Sequence, residues 1–279
     1  MAYKTILTIV SDATAAHDQL NVAIATARAE NAHLDVLCLG IDRVQAGYYY
    51  AGASAYLLQE TLHQAETEAR ATEAALRQRL AGEEIRWSLD TAVVQLGAIG
   101  ALVGLRARFA DLVVLAQPYG EGHAAEAEAV VEAALFDGRV PLLLVPKGAA
   151  EAPKARRVTL AWNQSPEAMA AVRSALPLLM AADTVDITVI DPPAHGPERS
   201  DPGGQLSQML ARHGVTCEIS VLAKTLPKVS DVLIRHMQDT NADLLVMGAY
   251  GHSRFREAIL GGATRSMLEV APVPVLMAH

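Results

Sequence analysis

Three landmarks occur twice along this chain, in the same order and at nearly the same spacing. Each half opens on a short β-branched run, Thr5-Ile-Leu-Thr-Ile-Val10 and Arg157-Val-Thr-Leu-Ala-Trp162. Each later carries Ala-Asp ahead of an apolar run, Ala110-Asp111-Leu-Val-Val-Leu115 and Ala242-Asp243-Leu-Leu-Val-Met247. Each closes on Val-Pro and a last apolar run, Val140-Pro141-Leu-Leu-Leu-Val145 and Val273-Pro274-Val-Leu-Met277. From Asp111 to Pro141 is 30 residues, and from Asp243 to Pro274 is 31. An internal duplication explains this pattern, and it demands a fold that one supersecondary unit can build twice. The seam is Pro146-Lys-Gly-Ala-Ala-Glu-Ala-Pro-Lys154, a small-residue stretch with proline at both ends. It predicts domains at 1–147 and 155–279.

Within each half, apolar runs alternate with helical patterns. The first half predicts strands near 4–10, 34–40, 85–90, 112–116 and 141–145, with helices near 14–30, 56–82, 95–108 and 124–137. The second predicts strands near 157–162, 185–190, 216–222, 243–247 and 273–277, with helices near 166–181, 203–213, 228–240 and 255–269. The strands are apolar throughout rather than alternating, which fits a parallel sheet covered on both faces. Composition agrees: 51% of residues are hydrophobic but only 4% aromatic, so the core is built from Ala, Val, Leu and Ile. Right-handed crossovers then give an α/β class of two tandem doubly wound domains, each with a five-stranded parallel sheet. Ligands of such sheets bind beyond the C-terminal strand ends where strand order reverses. That place lies beside the first and fourth strands of each half.

The remaining composition narrows the chemistry. With 23 Lys+Arg against 31 Asp+Glu and no basic stretch interleaved with aromatics, a nucleic-acid partner is not expected. The N-terminal apolar run is too short for a signal core or a membrane span, so a cytoplasmic protein without membrane attachment is expected. Cys38 and Cys217 lie in strand-like runs with no CxxC, and no HExxH or Cys/His cluster suggests a metal site.

The second half then presents Gly248-Ala-Tyr-Gly251-His-Ser-Arg-Phe-Arg-Glu-Ala-Ile-Leu-Gly261-Gly262-Ala-Thr264-Arg265 at the end of its fourth strand. Gly248 and Gly251 bracket a turn, and Gly261 and Gly262 precede a helix beginning around Ala263-Thr264. A helix start exposes free N–H groups and a favourable dipole to an anion, and glycine lets the backbone approach it. His252, Ser253 and Thr264 add donors, and Arg254 and Arg256 add positive charge. Plain turn punctuation explains the same glycines.

The stretch Ala242–Arg254, with Leu260-Gly-Gly-Ala-Thr-Arg265 and Ala271-Pro-Val-Pro-Val275, resembles the universal stress protein family. The ATP-binding branch of that family carries Gly-x2-Gly-x9-Gly followed by Ser or Thr, and Gly248, Gly251 and Gly261 match its spacing. The resemblance covers both halves and implies tandem Rossmann-like domains in a stress-response regulator. It implies ATP or AMP, with Mg²⁺ accompanying the nucleotide, held by Gly248, Gly251, His252, Ser253, Gly261, Gly262, Ala263 and Thr264. The adenine would rest against Ala161, Trp162, Asn163 and Ile190. Two departures stand out. Gly262 replaces the expected hydroxyl residue, and Trp162-Asn163-Gln164-Ser165 replaces Val-Asp-Gly-Ser, so Asn163 brings no charge. The first half departs further, with Pro118, acidic Glu126, Glu128 and Glu132, and Phe136-Asp-Gly-Arg139 where a Gly-Gly step would fall. Relatives show at most slow ATP hydrolysis or self-phosphorylation, and no catalytic residue is assigned. The family's last strands pair across domains, so 141–145 and 273–277 can pair within the chain as a pseudo-dimer, or between chains as a homodimer. The alternative is a scaffold without nucleotide that binds an apolar small molecule or a protein.

Other stretches have a plainer reading beside any functional one. Tyr48, Tyr49 and Tyr50 form a recognition loop, or a loop that packs over a neighbouring surface. Asp191–Gly204, rich in Pro and Gly, reads as a surface loop. Asp12, His17 and Asp18 come after the first strand, but no nucleophile elbow accompanies them. The helix from Gln59 to Leu80 is amphipathic and covers the sheet.

Overall fold

In a computed structural model the described residues are 3–43, 55–120, 126–192, 200–250 and 262–279. The chain divides into two compact units, one of residues 1–140 with 147–152, the other of residues 141–146 with 153–279.

The first unit runs β1 (Thr5–Val10), α1 (His17–Glu30), β2 (His33–Asp42), α2 (Ala55–Leu80), β3 (Arg86–Gln95), α3 (Ile99–Ala107), β4 (Leu112–Ala116) and α4 (Glu126–Glu132). A wider helical turn over Ala133–Gly138 prolongs α4. Its strands lie in the order β3-β2-β1-β4, all parallel. The second unit runs β5 (Leu142–Val145), β6 (Arg157–Ala161), α5 (Pro166–Ala181), β7 (Thr184–Ile190), α6 (Gly204–Arg212), β8 (Cys217–Leu222), α7 (Val229–Thr240), β9 (Leu244–Gly248), α8 (Ala263–Val270) and β10 (Val275–Ala278). Here the order is β5-β10-β9-β6-β7-β8. All of these pairings are parallel except β5 with β10, where Leu144 faces Val275, Leu143 faces Leu276 and Leu142 faces Met277 in antiparallel register. The expected pairing of the two final strands is therefore present within one chain.

The duplication extends to strand register. Ile6, Leu7 and Thr8 pair with Leu112, Val113 and Val114, and Val158, Thr159 and Leu160 pair with Leu244, Leu245 and Val246. The repeated Ala-Asp acquires a physical role from this. Asp111 Oδ2 accepts the backbone N–H groups of Lys4 (2.7 Å) and Thr5 (2.9 Å). Asp243 accepts those of Arg156 and Arg157, both at 3.1 Å. Each aspartate closes the open N-terminal end of the first strand, where the ladder offers no acceptor. The central strands are buried and mostly apolar, as at Ile6, Leu112, Val113, Leu244 and Leu245, and such burial contributes about 1.5–3 kcal/mol per side chain.

Some boundaries differ from expectation for local reasons. Helix α1 begins at His17 rather than 14, because Asp12 Oδ1 accepts the N–H groups of Thr14 (2.7 Å) and Ala15 (3.2 Å) and folds that segment into a turn. Strand β3 runs on to Gln95 because Thr91–Gln95 keep pairing with Cys38–Asp42. Cys38 and Cys217 are free thiols, and burial pushes the Cys38 thiol up to about 11, which makes it a poor nucleophile. Among the described residues no three His, Cys, Asp or Glu converge on a metal position, and no helix is long and apolar enough to cross a membrane.

Candidate functional site

In the second unit the chain winds outward from β6 in both directions, to β7 on one side and β9 on the other, so the crevice lies at the C-terminal ends of β6 and β9. Ala161 pairs with Met247 and with Thr188, which brings three strand ends together. Trp162 is next, 8% exposed, its N–H donating to the Thr188 carbonyl at 2.9 Å. Its indole Nε1 is buried and has no partner among the described residues. Asn163 is exposed, and its Oδ1 accepts the Ser165 N–H at 3.1 Å, which shapes the turn into α5 and leaves the amide NH₂ outward. Ile190 ends β7, half-buried.

Gly248 has a packing reason for being glycine. A Cβ there would lie 2.5 Å from the Ala168 nitrogen and 2.6 Å from the Glu167 carbonyl carbon, both backbone atoms of α5. Helix α5 thus abuts the end of β9. Its own N-terminus is closed: the Ser165 hydroxyl accepts the Ala168 N–H at 3.1 Å, Pro166 removes a donor, and Glu167 places an acid in the first turn.

The N-terminus of α8 is different. Gly262 caps it with no side-chain hydrogen bond, and its first turn holds no acid. Thr264 is buried and its hydroxyl accepts the Tyr250 N–H at 3.0 Å, tying the start of α8 to the exit of β9. Tyr250 itself sits at φ 56°. Two helix starts therefore stand at this crevice, one capped and acidic, the other without a side-chain cap.

The first unit closes the same place. Gln19 on α1 is buried, and its Nε2 donates to Thr8 Oγ1 and to the Ile9 carbonyl, both at 2.8 Å, while its Oε1 accepts the Ala116 N–H at 2.9 Å. One side chain thus staples the ends of β1 and β4. A cavity of 110 Å³ remains beside it, bordered by Ser11, Asp12, Gln117 and Glu126. Glu126 is 2% exposed and pairs with Arg43 at 3.0 Å, and Tyr119 donates to Glu128 at 2.6 Å. Both acids lie in the first turn of α4, so this helix start disfavours an anion.

The structure thus gathers Ala161, Trp162, Asn163, Gly248, Gly262, Ala263 and Thr264 around the β6/β9 strand ends, with Ile190 at the end of the neighbouring β7. Gly251, His252, Ser253 and Gly261, with Tyr48, Tyr49 and Tyr50, lie outside the described residues. Sequence reasoning passed over Gln19, Glu167 and Tyr250. Gln19 had no distinguishing signal, because Asn21 carries the same kind of side chain two residues on.

Doubly wound α/β units ordinarily take small ligands beside their strand-order reversal, which is where this unit places the start of α8. Residues 154–279 match the model of the Universal stress protein family. A universal stress protein of Synechocystis is 33% identical over 73 residues, 26% of this chain; the match spans only about a quarter (24%) of that protein. The whole chain is similar to the crystal structure of a universal stress protein from Archaeoglobus fulgidus, with a TM-score of 0.72 at 13% identity, covering 100% of this chain and 99% of the other. A Pseudomonas aeruginosa protein of the same designation gives a TM-score of 0.60 at 14% identity, over 99% and 93% of the two chains. At identities this low, the TM-scores show a shared fold alone.

Proposed function

We propose that the second unit binds an adenine nucleotide, ATP or AMP, and that the chain is a nucleotide-responsive regulator of the universal stress class. The observation that carries this reading is the start of α8, tied to the end of β9 through Thr264 and Tyr250, with no side-chain cap and no acid in its first turn. Free N–H groups and the dipole there favour phosphate oxygens. The buried, unpartnered Trp162 Nε1 and the outward Asn163 amide fit an adenosine moiety that offers acceptors. The phosphates rest on Gly248, Gly251, Gly261 and Gly262, with His252 and Ser253 as further donors, and Mg²⁺ accompanies a triphosphate.

Calorimetry with ATP, with and without Mg²⁺, tests the reading on the wild-type chain and on Gly251→Glu. Binding that the substitution abolishes is expected, because a carboxylate in the turn opposes phosphate. No heat with wild type at millimolar nucleotide overturns the proposal in favour of a scaffold without nucleotide.

A further inference from the structure

The second unit carries a polar cavity at the other end of its sheet, where β6, β7 and β8 begin. Its volume is 330 Å³, and its walls include Arg157, Thr159, Thr184, Asp186, Glu218 and Ser220. Faces of doubly wound sheets are ordinarily apolar. Register places these side chains on one face: Arg157 pairs with Thr184, Thr159 with Asp186, and Asp186 with Glu218.

The hydrogen bonding there is one-sided. Asp186 Oδ2 is served twice, by His236 Nε2 from α7 and by the Thr188 hydroxyl at 3.3 Å. Asp186 Oδ1 is buried and has no partner among the described residues. Thr159, 0% exposed, leaves its hydroxyl oxygen unpartnered as well, beside the same cavity. A buried polar atom without a partner costs about 1–3 kcal/mol.

The duplicated unit shows what was changed. Leu7 stands opposite Asp35 just as Thr159 stands opposite Asp186, and Ser88 stands where Glu218 does. In the first unit the Ser88 hydroxyl donates to Asp35 Oδ1 and satisfies it internally. In the second unit that donor is replaced by a carboxylate and the leucine by a hydroxyl. The site has exchanged an internal donor for a need of external ones. Arg157 keeps its charge while its Nη1 donates to the Thr240 carbonyl at 3.3 Å, so the two carboxylates of Asp186 and Glu218 outnumber one guanidinium in the cavity wall.

We propose that this cavity binds a small aliphatic amine or amino alcohol. The ammonium lies between Asp186 Oδ1 and Glu218, and a neighbouring hydroxyl or amine reaches Thr159 and Ser220. The proposal is independent of nucleotide binding, since Gly248 lies at the opposite strand end.

The test is amide NMR of the full ¹⁵N-labelled chain titrated with putrescine and with ethanolamine at fixed pH and ionic strength, with inorganic phosphate and inositol as controls. Saturable shifts at Thr159, Asp186 and Glu218 are expected with the amines only. Asp186→Asn should weaken binding about tenfold or more, and Thr159→Val less. Because Asp186→Asn also disturbs His236, Glu218→Gln at the exposed rim serves as the variant that keeps the fold. Absence of saturation at tens of millimolar amine overturns the proposal. So does equal binding by inositol, or an affinity unchanged in Glu218→Gln and Asp186→Asn.

Discussion

Strands β4 and β9 pair with their neighbours in the same register, yet the helices they lead into are opposite in character. After β4 comes a helix with Glu126 and Glu128 in its first turn, and the crevice is stapled by Gln19. After β9 comes a helix with no acid in its first turn and no side-chain cap, next to a glycine against which α5 packs backbone to backbone. The sheet supplies a crevice in both units. In the proposed function, a few side chains at the strand ends decide whether an anion is welcome there. Fold duplication and site duplication are separable.

The largest expected effect comes from exchanging the residues that set this difference. Gly248→Val drives a side chain into the α5 backbone 2.5 Å away, and the second unit should lose roughly 3 kcal/mol or more. Ala116→Gly, at the matching end of β4, should cost about 1 kcal/mol or less. Similar losses at both positions would break the comparison. Denaturant unfolding monitored by amide exchange assigns each loss to its unit.

Gln19→Leu removes three hydrogen bonds and leaves the Ala116 N–H to find a new partner, while the Thr8 hydroxyl keeps its own bond to the Val114 carbonyl at 2.9 Å. A loss of about 2 kcal/mol, confined to the first unit in the same exchange experiment, is expected. A smaller pair of effects tests the sameness of the two sheets. Asp111→Ala and Asp243→Ala each remove two N–H acceptors in equivalent geometry, so each should cost about 1 kcal/mol. Losses that differ severalfold would show that the shared geometry is not energetically shared.

The smallest effect concerns pH at the seam. The Gly148 N–H donates to Asp18 at 2.7 Å, and this bond, with His17 beside it, holds the Asp18 carboxyl below its usual 3.8. A lowered folded-state pKa gives a contribution present above the unfolded value and lost as pH falls through the folded one. The Gly148 amide shift should therefore titrate below pH 3.8 in the wild type and stay flat in Asp18→Asn.

Much of the fold was legible because duplication and apolar periodicity survive in the sequence. The strand and helix alternation stems from it, whereas the pairing of the last two strands followed from the family resemblance. Element ends were less so: the Asp12 turn that delays α1, and the extension of β3 to Gln95, depend on a side-chain acceptor and a partner strand. Of the candidate site, Gly248 and Gly262 stood out as glycines, but the reason for Gly248 lies in α5, far earlier in the chain. Gln19 escaped notice for the same cause, since its three partners lie on two distant strand ends. The polar cavity under His236 was invisible because Thr159, Asp186 and Glu218 meet only through strand register.

The central claim is that phosphate is received at α8 and refused at α4. Titrating ATP with Mg²⁺ into the ¹⁵N-labelled full chain tests it most directly. The account predicts saturable shifts at Gly248, Tyr250, Gly262, Ala263 and Thr264, at one nucleotide per chain, with Ala116, Gln117 and Ala127 unmoved. Shifts at the start of α4, or two nucleotides per chain, would contradict it.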